Sequence, residues 1–454
     1  MLSTFAKLIF GLGCLSVLPA SPSAFTIAQT PNSTAPADNK TLTRYVDQQG
    51  GMTANEAVVF ALAHNDELAA MRKEADAAGA MVKQARLRAN PNLEANGTKQ
   101  ISGADNSVMV QGMLPLELGG RRNARILVAG REAVVREKAV ADRERLLAAE
   151  VRNKFAEALA QAFKLKLVED LLDTATQGFQ LVRARVEEGK TPPLEENMTL
   201  VEVNRLRSTR ETAAGKTEIV FLELRNLLGM KPEEPLPIRG DFENLMTPLT
   251  PRSEATTAAL QNRPDLAGAK AMEELAEAQI EQARAEGRLD ASISAGYQRM
   301  NTGFPLNGIT DAGELRPIQD IFHYFTFGVT VQLPVRNRNQ GAIEAAEANR
   351  EAARMRRDFG ELVVRREVAA AYARYESTAR AMEIFRVGVR GQASTNLDVV
   401  RQTYELGARN LTDYLVEQRR FIELENEFID QQLAVYQARV ELLRATAAPE
   451  LTGK

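Results

Sequence analysis

Two long stretches of the chain have apolar residues at the three- and four-residue spacing of an α-helix and almost no proline; they cover 120–188 and 339–406. Each stretch ends at a glycine, Gly189 or Gly407, and a shorter helical pattern follows, at 194–228 or 411–446. At about 1.5 Å per residue, each long helix reaches roughly 100 Å. Helices of this length cannot be buried in one globular core, so the pattern predicts two extended helical hairpins. The spacing in 411–446 is also typical of a coiled coil.

A helical pattern also opens each half of the chain, at 53–90 and 253–288, with Asn55 and Ser253 as predicted N-caps. These opening helices are about as long as the returning helices of the hairpins. We therefore expect the two sets to stack end to end beside the ~100 Å helices.

After each opening helix the apolar period changes from helical to alternating, which predicts four strands, at 92–101, 107–117, 290–300 and 324–333. The last is the clearest, because Phe325, Phe327 and Val329 alternate with polar residues. Gly97 and Gly112 weaken the alternation of apolar and polar residues in the two strands of the first half. The segment 301–321 is rich in Gly, Pro, Asn and Asp and is predicted to be a surface loop.

These strands allow two interpretations, a soluble hairpin or membrane strands with one apolar face, and strands of about ten residues have the length of the latter. An isolated hairpin between very long helices is only marginally stable. Four strands cannot close a barrel, whose smallest form has about eight. A membrane barrel therefore requires several copies of the chain, and three would supply about twelve strands.

The two halves repeat the same order of elements, which indicates an internal duplication. The predicted organisation is a signal peptide, a linker, a first repeat with its strand pair at 92–117, a proline-rich linker, a second repeat with its strand pair at 290–335, and a tail, over 1–28, 29–51, 52–230, 231–252, 253–446 and 447–454. The fold class is thus mainly α with a small β part.

Composition narrows the functional classes. The 454 residues include no Trp and carry a net charge of only −3, so no basic surface indicates nucleic acid as a partner. The start has the pattern of a secretory signal, and the single cysteine, Cys14, lies inside it. Cleavage of this signal and lipid attachment at Cys14 stay open as alternatives.

Three motifs connect this pattern to a known family: Pro115–Arg122 (PLELGGRR) after the second strand, Leu333–Gly341 (LPVRNRNQG) after the fourth, and Arg263–Leu266 (RPDL) in the second half. With the duplication, they resemble the TolC family of outer-membrane efflux channels, closest to the CzcC-like branch. The resemblance implies a homotrimer in which the helical hairpins form an α-barrel tunnel through the periplasm, joined to a twelve-stranded transmembrane β-barrel in outer-membrane lipid. It also implies a passive duct for metal cations or small toxic compounds, a periplasmic adaptor protein, and an inner-membrane RND pump that supplies the energy.

The helix turns are the expected constriction of such a duct. Six residues after each turn glycine stands an acid, Glu195 or Asp413, and in a trimer these carboxylates would form a ring that attracts cations. By resemblance, Tyr404 and Arg409 match residues that hold the periplasmic aperture shut. The tips themselves comprise Gly189, Pro192, Pro193, Gly407 and Asn410. The simpler interpretation is that both acids are solvated first-turn residues favoured by the helix dipole.

Other functional classes find less support in the sequence. No constellation of nucleophile, base and orienting group indicates an enzyme, and no cofactor motif is present. His64 and His323 are the only histidines, and neither lies in a metal-ligand pattern. A periplasmic adaptor and a coiled-coil scaffold without a pore remain as alternatives to the channel.

Overall fold

A computed structural model describes residues 44–103, 105–242 and 251–453. The predicted signal peptide, with Cys14, and most of the predicted linker at 29–51 lie outside the described residues. The elements of the first half are α1 (Ala54–His64), α2 (Asp66–Arg86), β1 (Asn92–Lys99), β2 (Asn106–Pro115), α3 (Arg121–Glu187) and α4 (Pro193–Leu228). Those of the second half are α5 (Arg252–Asn262), α6 (Pro264–Glu286), β3 (Asp290–Ile309), β4 (Leu315–Gln332), α7 (Gln340–Ile384), a π-helical segment (Phe385–Arg390), α8 (Gly391–Glu405) and α9 (Leu411–Thr446). A 3₁₀ turn, Pro449–Thr452, follows.

Each opening helix is broken once, so the prediction of two continuous helices at 53–90 and 253–288 was wrong. In the first half Asn65 adopts an extended conformation, and its side-chain oxygen accepts a hydrogen bond from the Leu68 amide at 3.0 Å, which starts α2. In the second half the break falls at Arg263, because Pro264 disfavours a helical conformation in the residue before it.

The predicted caps of the opening helices were also wrong. Thr53, not Asn55, caps α1, in a capping box with Glu56 whose carboxylate accepts from the Thr53 amide at 2.7 Å. In the second half the helix already begins at Arg252, after Pro251, so Ser253 is not a cap.

The four strands form one antiparallel sheet in the order β1-β2-β3-β4. The strand predictions are confirmed, but the surface loop at 301–321 was wrong. There β3 and β4 continue as a two-stranded arm, with an irregular register between Gly303 and Asn307. Its tight turn, Thr310–Glu314, contains Gly313 at φ +80°. The glycines and prolines that suggested a loop are thus tolerated within a long hairpin, beyond the end of the neighbouring strand β2.

The two long helices differ in one respect. Helix α3 is continuous over 67 residues, whereas its counterpart in the second half contains the π-helical segment. Phe428 of α9 packs there, with its ring 6.3 Å from that of Phe385 and 4.4 Å from the Arg390 guanidinium. Arg390 also pairs with Glu425 at 2.8 Å. Nothing in the apolar spacing of this stretch predicts the change in helix type.

The main core lies midway along α3, far from the helix tips. Phe155 and Leu159 are fully buried there against Val58 of α1 and Phe221 of α4. The proline-rich linker at 231–252 also packs into this core through buried Leu236, Ile238 and Phe242. None of the described helices is long and apolar enough to cross a membrane.

A buried arginine joins three helices of the second half. Arg263, 3% exposed, donates to Asp265 at 2.6 Å, to Glu367 of α7 at 2.7 Å and to the Ala445 carbonyl of α9 at 3.2 Å. Burial raises the pKa of Asp265, but the hydrogen bond and charge of Arg263 outweigh it and hold that pKa below its usual value. The motif that carried part of the family resemblance therefore has a structural role.

We expect Arg263→Ala to destabilise the protein by about 2–4 kcal/mol, because it leaves two partly exposed carboxylates and a carbonyl at the end of α9 without their hydrogen-bond donor. Denaturant unfolding measures this loss, and Arg263→Lys, which keeps the charge but not the forked geometry, should fall between. Since the pKa of Asp265 is depressed in the folded state, its stabilising contribution is present above its unfolded pKa and is lost as the pH falls through the folded one. A difference between wild type and Arg263→Ala that does not shrink at acidic pH would contradict this account.

Candidate functional site

The two helix turns have the same backbone geometry. Gly189 and Gly407 adopt φ +71° and +75°, and the residue before each has φ −80° and ψ −2°. The amide of Lys190 donates to the Arg185 carbonyl at 2.8 Å, and that of Ala408 to the Thr403 carbonyl at 2.9 Å. These are the bonds of a Schellman motif, which requires the left-handed glycine. The prolines of the first turn, Pro192 and Pro193, follow this motif and start α4 without altering it.

Tyr404 lies at the tips, where the second hairpin meets the first. The carboxylate of Glu195, in the first turn of α4, is close enough for its charge to act on the Tyr404 hydroxyl. The Tyr404 ring stacks on that of Tyr414 in α9, with centroids 5.8 Å apart and planes within 6°. Burial and the charge of Glu195 raise the pKa of Tyr404 above its ordinary value, against the opposing charge of Arg185. The phenol therefore keeps its proton at neutral pH.

The remaining predicted tip residues are not brought into this contact. Asp413 and Arg409 are exposed, and within the described part of the chain neither side chain has a hydrogen bond or ion pair. Asn410 is the N-cap residue of α9 but makes no side-chain cap bond. The structure thus places the two acids differently: Glu195 is partly buried beside Tyr404, whereas Asp413 is exposed.

A cavity of about 290 Å³ lies directly behind the tips, between the two hairpins. Its lining includes Glu202, which is only 3% exposed and accepts a hydrogen bond from Arg419 of α9 at 2.7 Å. This charged pair crosses from the first repeat to the second. Sequence reasoning missed it, because nothing in the spacing of the two residues relates one half to the other.

The sheet exposes its apolar face and partly covers its polar face, which is the reverse of a sheet in a soluble protein. The antiparallel register places apolar residues on one face, among them Leu93, Val110, Ile293, Tyr297, Phe325, Phe327 and Val329. The other face carries mainly small polar residues, among them Ser107, Gln111, Ser294, Gln298, Thr326 and Thr330. Along the inner strand β3 the apolar-face residues are exposed and the polar ones are partly covered. Phe327 and Phe325 are 84% and 74% exposed.

Charge follows the same division. Where all four strands pair, the described carboxylate Glu94 lies on the polar face, and Lys99 and Arg299 lie on the apolar face. Asp290, just outside this region and opposite Gln332 of β4, also lies on the polar face. Asp290 accepts hydrogen bonds from Arg121 at 2.9 Å and from the Leu118 amide at 2.9 Å, at the end of the sheet next to the helices. Both bases lie toward the opposite end, where a turn joins β1 to β2.

The arrangement has relatives among known proteins. The family model described as "Outer membrane efflux protein" matches residues 58–230 and 256–448, which is most of both halves. The chain belongs to the outer membrane efflux protein family. This assignment places it in the outer membrane, as a component of an efflux system, and replaces the adaptor and scaffold alternatives.

One relative and two solved structures illustrate the similarity. The cobalt-zinc-cadmium resistance protein CzcC of Cupriavidus metallidurans is 24% identical over 87% of this chain and 90% of its own length. A membrane protein from Pseudomonas aeruginosa superposes with a TM-score of 0.69 at 23% identity, over 87% of this chain and 93% of its own. CusC superposes with a TM-score of 0.70 at 18% identity, over 87% and 91%. The resemblance drawn from the sequence motifs is confirmed, and the structural matches show the shared fold.

The two histidines occupy separate places in the efflux protein. His64 lies in α1, where its ring stacks on that of Phe60 with centroids 4.1 Å apart. His323 lies in β4, with Nδ1 2.5 Å from the Tyr297 hydroxyl. Among the described residues, no three histidine, cysteine or acidic side chains lie close enough to hold a metal ion.

We expect Tyr404→Phe to loosen the helix tips without unfolding the protein. Loss of the hydroxyl beside Glu195 removes a polar contact between the hairpins that contributes up to about 1 kcal/mol, which corresponds to at most roughly fivefold faster local opening. Hydrogen exchange of the backbone amides in 400–415, measured by mass spectrometry, reports this change. The amides of the core around Phe155 serve as the internal control. Unchanged exchange at the tips would show that the Tyr404–Glu195 contact does not hold the hairpins together.

Proposed function

We propose that this efflux protein is a trimeric passive duct, which carries cations from the periplasm through a twelve-stranded barrel to the exterior. A periplasmic adaptor and an inner-membrane RND pump would load it, and the chain itself would perform no chemical step. The domain boundaries predicted from the sequence fit this assembly, with one strand pair and one helical hairpin from each repeat.

The observation that carries the proposal is the exposed apolar face of the sheet. In water, residues such as Phe325, Phe327 and Val329 would be placed on a buried face, and here they are 74%, 84% and 68% exposed. Lipid supplies the missing cover. From Phe325 to Leu333, one residue past the end of β4, the apolar positions cover about 26 Å along the chain. At the ~40° tilt of barrel strands this is roughly 20 Å across the membrane, which is most of the ~25 Å apolar band of outer-membrane barrels.

The sheet also explains why one copy is insufficient. Strands β1 and β4 are its edges, and within the described chain neither edge has a further strand as partner. Backbone groups in lipid must be paired, so open edges cannot persist there. Pairing of β4 in one protomer with β1 in the next would satisfy both edges, and three copies close the barrel.

Two sets of acids support cations as the transported class. Glu94 lies on the polar face, which becomes the barrel lining, and Asp320 follows on the same face of the arm, opposite Thr302. At the other end of the duct, Glu195 and Asp413 stand at the helix tips. Rings of carboxylates attract cations and repel anions. Metal cations are the favoured cargo, because the similar CzcC protein is named for resistance to cobalt, zinc and cadmium.

The lipid-facing role of the sheet is tested by Phe327→Arg. An arginine on the lipid face near the membrane midplane costs about 2–4 kcal/mol per copy, so we expect far fewer membrane-inserted trimers. Thr326→Arg is the matched control, since it lies one residue away on the opposite, polar face. Trimer yield in outer-membrane fractions measures both variants. Equal loss in both, or in neither, would contradict the assignment of the faces.

The acids at the tips are tested in planar bilayers. For purified wild-type trimers we expect cation-selective conductance, and for Glu195→Gln with Asp413→Asn a roughly two- to fivefold lower cation-to-anion permeability ratio. Because Asp413 is exposed and Glu195 is partly buried beside Tyr404, we expect Asp413→Asn alone to give the larger part of the change. Glu196→Gln, in the same helix turn, is the control. An unchanged permeability ratio would contradict the role of the tip carboxylates.

A further inference from the structure

Basic residues collect at one margin of the apolar face, next to its last aromatic row. We propose that Lys99, Arg299 and His323 bind the phosphate groups of the phosphorylated glycolipid of the outer leaflet. The inference rests on the proposed function, because it requires the apolar face to contact lipid.

The strand register fixes the positions of these residues. Tyr297 and Phe325 face each other across β3 and β4, and the next pair on the same face is Arg299 and His323. Lys99 is on the same face, one row further from the helices. Since two residues along a strand span about 7 Å and neighbouring strands lie about 4.8 Å apart, the three groups form a margin about 14 Å wide between the apolar band and the turn.

The contact of His323 with Tyr297 makes the other ring nitrogen of His323 available as a hydrogen-bond donor. Its Nδ1 lies 2.5 Å from the Tyr297 hydroxyl, and the two rings stack with centroids 5.9 Å apart. When the hydroxyl donates to Nδ1, the neutral ring carries its hydrogen on Nε2. That N–H is then available to an anion. Tyrosine itself is favoured at the boundary between acyl chains and head groups.

The chain does not neutralise these bases. Among the described residues, no carboxylate forms an ion pair with Lys99 or Arg299. The nearest acids along the strands either have another hydrogen-bond partner or lie on the opposite face of the sheet. Asp105 accepts from the Gly303 amide at 2.6 Å, and Asp320 lies on the polar face. An external anion is therefore the natural partner of this margin.

The position of this margin in the membrane indicates which molecule supplies the anion. The helices enter and leave the sheet at the opposite end, so a tunnel in the periplasm places this margin at the outer leaflet. Phosphates there belong to glycolipid head groups, directly above the acyl chains that cover Phe325 and Phe327. At the periplasmic end the comparable base, Arg121, is already bound to Asp290 at 2.9 Å.

The test compares lipid binding to intact trimers in detergent by native mass spectrometry. The probes are bisphosphorylated lipid A, the same lipid A without phosphates, and phosphatidylglycerol. For Lys99→Gln with Arg299→Gln and His323→Gln, we expect a roughly 30-fold weaker affinity for bisphosphorylated lipid A, which corresponds to about 1 kcal/mol for each of the two charged residues, Lys99 and Arg299. The control, Lys216→Gln with Arg354→Gln, removes two exposed bases from the helices and should bind as the wild type does.

Three results would overturn the proposal: equal binding by the triple variant, equal binding of dephosphorylated lipid A by the wild type, or phosphatidylglycerol binding as tight as that of lipid A. Conductance of the triple variant keeps this question separate from the duct. Normal channels with reduced lipid A binding support the proposal. A silent wild-type trimer would contradict the proposed function, whereas normal channels with unchanged lipid binding would contradict this inference alone.

Discussion

The structure depends on a sheet whose apolar face is the exposed one. None of the described helices covers it, because they continue from one end of the strands and extend away. The free energy of exposing Phe325, Phe327 and Val329 to water, about 1.5–3 kcal/mol for each large side chain, is avoided only in lipid. Burial of this face and pairing of the two edge strands are therefore coupled requirements. Both are met together when several copies close a barrel in the membrane.

The helical part meets a different constraint, since helices of 36 to 67 residues have few buried positions near their tips. Several of the contacts there are polar. Glu202 pairs with Arg419 between the hairpins, Glu195 lies beside Tyr404, and Arg390 pairs with Glu425 within the second hairpin. Polar pairs of this kind contribute less than a packed apolar core and exchange partners more readily. The core around Phe155 is fixed, and the tips are the part that can rearrange.

The sequence predicted those elements whose pattern depends on neighbouring residues and extends over many positions. The duplicated helices, their turn glycines and all four strands follow from apolar spacing and from the need for φ > 0 at Gly189 and Gly407. It did not predict what depends on contacts between distant residues. Asn65 and Arg263 break helices whose apolar pattern continues through them. The arm at 301–321 looks like a loop because its glycines and prolines are usual in loops, yet beyond β2 one edge of β3 is free and tolerates Pro305. The pairing of Glu195 with Tyr404 required both halves in three dimensions.

Alternation along the strands does more than separate apolar from polar residues. A shift of one residue in any strand would exchange its two faces, moving Glu94 into lipid or Lys99 and Arg299 into the lumen. The register that covers the apolar face therefore also fixes which charges meet the transported ion and which meet the membrane. Acids in the lining suit a duct that conducts cations. Bases at the outer margin suit a protein that is surrounded by anionic lipids. In the proposed duct, selectivity in the lumen and anchoring in the leaflet would be two consequences of one register.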